Sequence, residues 1–121
     1  MEVFVDVRWL LEIQEARMTD LAVRDYSALV AAVARHRVNT PAFGAEYDEA
    51  WRAAALMHTI IQLRPLPARN ALFGAMAAVA YMTASGHTLN APYAPVELAR
   101  DIVSGKADVY TAAERIRSWR A

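Results

Sequence analysis

The residues best suited to acid–base work or metal ligation in this chain are three histidines, and their spacing favours neither use. His36, His58 and His87 lie far apart in sequence. None sits at the i, i+4 interval that places two ligands on one helix face, and none has the neighbouring carboxylate such a site needs. His58 falls in an apolar stretch, where a hydrogen-bonded interior role is expected. There is no cysteine, which excludes a disulfide framework, a thiolate nucleophile and a zinc–cysteine site. A G-x-S-x-G elbow, a P-loop and a G-x-G-x-x-G run are also missing, so the commonest nucleophile and phosphate-cradle signatures are absent. Read residue by residue, the sequence predicts a helical domain with no catalytic constellation and no metal site.

The elements that would have to position any such chemistry are organised around residues 61 to 86. Pro65 and Pro67 break a helix arriving from the N-terminal side, because proline lacks a backbone donor and disfavours helical geometry in the residue before it. A new helix then starts near Arg69. From Asn70 to Ser85 there is no charge, and Gly86 stands where a left-handed C-terminal cap belongs. The run is mostly alanine and too short for a membrane span, which needs roughly 18 to 20 strongly hydrophobic residues. A buried central helix is expected. Gly74 within it suits close helix packing.

On the N-terminal side, Val3, Val5 and Val7 alternate with Phe4 and Asp6, predicting a brief strand before a helix capped by Asp6 that runs to about Arg17. Thr19 or Asp20 is the expected cap of the next helix, whose Tyr26, Leu29, Val30 and Val33 form one apolar stripe. Residues 36 to 47 change character: Asn39, Thr40, Pro41 and Gly44 are turn formers, predicting a loop or short hairpin. Asp48 is placed to cap a buried helix from about Glu49 to Leu63. Towards the C-terminus, Pro95 suits the first turn of a helix stopped by Gly105, and Thr111 with Glu114 has capping-box spacing for a last helix through Ile116 and Trp119. Length and pattern predict one all-α domain over residues 1–121, of about six helices around a buried central helix.

Composition narrows the function classes. Thirteen basic residues balance thirteen acidic ones, so no overall field attracts nucleic acid or anionic lipid. Neither a nucleic-acid nor a membrane partner is expected. The N-terminal Met-Glu-Val-Phe-Val-Asp-Val lacks the basic start and long apolar stretch of a secretion signal, which predicts a cytoplasmic protein.

The layout of helix, loop, buried helix, kinked turn, buried helix ending in glycine and two C-terminal helices resembles the Fic/Doc family, especially its short Doc-like toxins. The similarity spans essentially the whole chain. It is carried by Tyr47 to Leu63, by Arg69-Asn-Ala-Leu-Phe with Ala77 to Gly86, and by Val96 to Trp119. The family motif runs His-x-Phe-x-Asp/Glu-Gly/Ala-Asn-Gly/Lys-Arg. Matching its final arginine to Arg69 puts Ile61 at the histidine that moves the proton of the attacking hydroxyl, and isoleucine has no titratable group for that work. Leu63 falls at the phenylalanine anchor. Pro65 replaces the metal-holding carboxylate, while Leu66, Pro67 and Ala68 replace the phosphate-cradling segment. Arg69 is then the remaining phosphate-binding candidate. A gapped register, with Arg64-Pro65-Leu66 standing for His-x-Phe, needs a deletion in the loop and supplies no histidine and no acid.

The resemblance implies the toxin component of a toxin–antitoxin pair with a degenerate nucleotidyl- or phosphotransfer motif, neutralised by a cognate antitoxin. Active relatives transfer AMP from ATP, or in Doc a phosphate onto elongation factor Tu, which would make the translation machinery a target. No cofactor is expected here; ATP with magnesium enters only if the degenerate site retains function. Residues 36 to 47 fall at the family's flap, so Val38, Asn39, Thr40 and Phe43 are the expected partner-binding positions, by strand addition. The second reading is a non-catalytic helical binding or scaffold protein that kept the fold.

Overall fold

Aspartates set most of the helix starts. The computed structural model describes residues 3–18, 20–38 and 48–120. In α1 (Val7–Arg17) the Asp6 carboxylate accepts from the Trp9 N–H at 2.8 Å. In α2 (Tyr26–Val38) Asp25 accepts from the backbone of Ser27 and Ala28. In α3 (Glu49–Leu63) Asp48 accepts from Trp51 at 3.0 Å. The helix α4 (Asn70–Ala84) follows the proline turn, and α5 (Ala94–Val103) carries a proline in its first turn. Asp108 opens α6 (Val109–Ser118) by accepting from Thr111. Each carboxylate satisfies an N–H that the first turn leaves without a helical partner.

Several sequence expectations are corrected. Residues 3–6 form no strand. The cap of α2 is Asp25, and Asp20 lies in a turn before it; Thr19 falls outside the described residues. Asp108 replaces Thr111 as the cap of the last helix. Tyr26 and Val30 are exposed, and α2 buries Ala28, Leu29, Ala32, Val33 and His36 instead. The expected hairpin at 36 to 47 lies outside the described residues beyond Val38, which is the exposed last residue of α2.

All described secondary structure is helical apart from one isolated antiparallel bridge, Leu89 to Arg120. The hub is α3, which packs on α2, α4, α5 and α6 and buries ten of its fifteen residues. The expected central helix, α4, packs on α3, α5 and α1 but buries only seven of fifteen. Close approach of α3 and α4 depends on Gly74: a Cβ there would sit 2.8 Å from Ile61 Cγ1 and 3.1 Å from the Met57 carbonyl oxygen. At the far end of α4, Gly86 has φ +95°. Its N–H donates to the Thr83 carbonyl and that of His87 to Met82, both at 3.1 Å, the paired bonds of a Schellman cap. A bidentate ion pair, Arg117 Nε and Nη2 on Asp48 at 2.8 and 2.9 Å, ties α6 to the start of α3.

Candidate functional site

The turn between α3 and α4 is where the sequence concentrates its unusual residues. It departs α3 through Arg64 in the left-handed region, φ 52°, and enters α4 through Arg69, φ 61°. These are the described non-glycine residues with positive φ, a conformation that costs L-residues roughly 1 kcal/mol or more each. Local contacts hold them there. The Pro65 carbonyl accepts from the backbone N–H of Arg24 at 2.8 Å and of Asp25 at 3.1 Å, pinning the turn to the α1–α2 connection. Leu66 is completely buried. The Asn70 carboxamide bonds the same residue twice: Oδ1 accepts from the Leu66 N–H and Nδ2 donates to its carbonyl, both at 2.9 Å.

This turn does not fit a magnesium nucleotide. Residues 61 to 72 contain no acid, so the turn offers no carboxylate for a divalent cation. Pro65 and Pro67 have no N–H, and the Leu66 N–H is occupied by Asn70, so three successive positions of the turn offer no free backbone donor to a phosphate. Ile61 is 4% exposed and packs at Gly74. Leu63, expected as the apolar anchor, is 46% exposed; the leucine filling the core is Leu66. Arg69 is exposed and makes no side-chain cap bond. Of the flap positions, Val38 is helical, while Asn39, Thr40 and Phe43 lie outside the described residues.

Two of the three histidines make interior hydrogen bonds. His36 is buried, its Nδ1–H donating to the Arg52 carbonyl at 3.0 Å and its ring meeting Tyr81 edge-on at 4.6 Å. Burial, above all, holds its pKa below the usual 6.5. His58 accepts at Nδ1 from Arg35 at 3.2 Å, and the same guanidinium nitrogen reaches Thr59 Oγ1 at 3.3 Å. Burial first, then the Arg35 charge, lowers its pKa. His87 Nε2 stands 3.8 Å from Glu49 Oε1. Among the described residues no group of three or more His, Asp or Glu is placed to hold a metal ion.

What the sequence did not reveal is a groove of about 740 Å³ on the outer face of α4. Its floor is Leu72, Met76 and Val79, one face of a helix at three- and four-residue spacing. Trp9 and Ile13 of α1 form one wall and Val96 of α5 the other. Leu72 and Val96 are 42% and 50% exposed, making a contiguous apolar surface of the kind that marks interaction sites. The signal was present as the lack of charge on every face of α4, but that pattern is the same whether a helix is covered by its own chain or by a partner.

No protein-family model and no curated protein matches the chain. Among the described residues no helix is long and apolar enough to cross a membrane.

Proposed function

We propose that this chain is a Doc-like toxin component of the Fic/Doc type whose transfer loop has become a structural turn, and that it works by holding a helix of its cognate antitoxin in the groove across α4. The observation that supports a structural rather than a catalytic turn is the double hydrogen bond between Asn70 and Leu66, and the one that supports docking is the exposed apolar groove along α4. Placing the asparagine of the family motif on Asn70, without gaps, puts buried Leu66 at the phenylalanine anchor and left-handed Arg69 at the small-residue position. Leu66 then stands as the apolar anchor, and Asn70 keeps the asparagine of the motif while holding the turn. The positions with chemical duties are lost: Arg64 falls at the histidine, Ala68 at the acid and Leu72 at the final arginine. In this register, as in the one ending on Arg69, no residue supplies a general base or a metal ligand.

A helical occupant suits the groove because both walls and the floor are helices, and an amphipathic helix supplies an apolar stripe to cover the exposed face of α4. Strand addition along the flap positions falls on residues that, beyond Val38, lie outside the described ones. The cytoplasm is the compartment this role implies. Induced expression with and without the product of the adjacent upstream reading frame tests the proposal. Growth arrest relieved by that product supports the toxin reading; a stable complex without any growth arrest favours the helix-binding scaffold instead.

A further inference from the structure

The groove does not stop at Val96. Leu72, Ala75 and Val96 also line a second depression that continues between α4 and α5, and this one shares Ala71 and Val103 with a third beside the α3–α4 turn. The three adjoin through these shared residues, and this row of depressions beside α4 is the trench. Its floor is uncharged throughout, since Asn70 to Ala84 contains no ionisable acid or base except the Tyr81 phenol, which is buried. Its two ends differ. At the turn end the lining includes Arg100 of α5 and Arg64 of the turn, and exposed Arg69 lies in the same turn. No ion pair or hydrogen bond engages these three guanidinium groups among the described residues. No acidic side chain lines the second or third depression. On the wall of the first, Glu12 of α1 pairs with Arg8 at 3.5 Å, and Arg17 adds a guanidinium group.

We infer that the trench takes an amphipathic helix of a partner protein in one direction only, with its C-terminal end and the carboxylates of its last turn lying over Arg64 and Arg100. This rests on the reading of the groove as a helix-binding face and adds the chemistry and polarity of its occupant. Two effects of the same sign set the direction. Carboxylates in the last turn meet unpaired guanidinium groups, for which carboxylate oxygens are the matching acceptors. The helix itself presents unsatisfied carbonyls and the negative pole of its dipole at that end. The reverse orientation would aim a positive pole at two arginines. Left-handed Arg64, held by the Pro65 and Leu66 contacts of the turn, supplies a charge on a fixed backbone.

A display library of 16-residue helix-biased peptides, selected on the full chain, tests this. Enriched peptides are expected to carry apolar residues at i, i+3, i+4 and i+7 and acidic residues confined to the last turn. Their affinity should fall about tenfold in Arg64→Glu or Arg100→Glu, both exposed positions, and fall with rising salt. A peptide with lysine in that turn should regain binding to the doubly reversed protein. Met76→Arg should abolish all binding. Enriched peptides that Met76→Arg abolishes but neither arginine reversal weakens would overturn the polarity while leaving the groove intact. No enrichment, binding indifferent to Met76→Arg, or a chain that dimerises through this face would overturn both.

Discussion

Asn70 and Leu66 are joined by two hydrogen bonds of 2.9 Å, the carboxamide of one closing on the peptide N–H and carbonyl of the other. The first helical residue of α4 thereby holds the turn that precedes it. Leu66 can be wholly buried at a place where prolines flank it because its two backbone polar groups are satisfied by one side chain.

Removing that side chain leaves a buried N–H and carbonyl without partners. Asn70→Ala should therefore destabilise the chain by about 2 to 3 kcal/mol, read as a lower urea midpoint at unchanged slope. A loss below about 0.5 kcal/mol would show that the turn is held by Pro65 and the Leu66 side chain alone.

Gly74→Ala sets helix propensity against packing. Alanine gains about 1 kcal/mol in a helix interior, but its Cβ would meet Ile61 Cγ1 at 2.8 Å and the Met57 carbonyl at 3.1 Å. Overpacking of this kind costs about 1 to 3 kcal/mol, so net destabilisation is expected. Combining it with Ile61→Ala should recover part of the loss in a double-mutant cycle. Simple additivity would contradict the close contact.

Stability should fall in two steps on acidification. His36 and His58 are held below 6.5 in the folded chain, so the unfolded chain binds more protons just below that value; their contribution is complete above pH 6.5 and lost as pH falls through the folded values. Asp48 is lowered from 3.8 to about 2, first by its hydrogen bond from Arg117, so its contribution is complete above about pH 4 and lost towards pH 2. Urea midpoints measured from pH 8 to 2 should show both declines, with His36→Asn shrinking the first and Arg117→Met the second. A midpoint constant between pH 7 and 5 would contradict the histidine assignment.

Calorimetric titration of ATP with magnesium should give no saturable micromolar binding, because residues 61 to 72 contain no carboxylate for the metal and positions 65 to 67 offer no free backbone donor. Saturable binding abolished by Arg69→Ala would restore that residue as a phosphate ligand.

Much of the fold was legible in the sequence, and the failures share a cause. The limits of α3, the Asp6 and Asp48 caps, the break at Pro65 and Pro67, the cap at Gly86 and the packing role of Gly74 all follow from local chemistry. The start of α2 does not: Asp20 and Asp25 are equivalent as caps, and the choice goes with the Pro65 carbonyl, forty residues away, which binds the Arg24 and Asp25 amides. Likewise Leu63 and Leu66 are alike in type. Only the fold of Asn70 back onto residue 66 shows which one faces the core. The groove was hidden because the charge-free sequence of α4 says that its faces avoid water without saying what covers them.

The most direct test of partner docking is the complex between this chain and the product of the adjacent upstream reading frame, with Kd measured for the natural sequence, Met76→Arg and Arg8→Ala. Met76 is on the groove floor, whereas the Arg8 side chain is 86% exposed. A charge buried in a helix–groove contact should weaken binding by about 100-fold or more, and loss of the exposed arginine by less than about threefold. A complex as tight with Met76→Arg as with the natural chain would contradict the account.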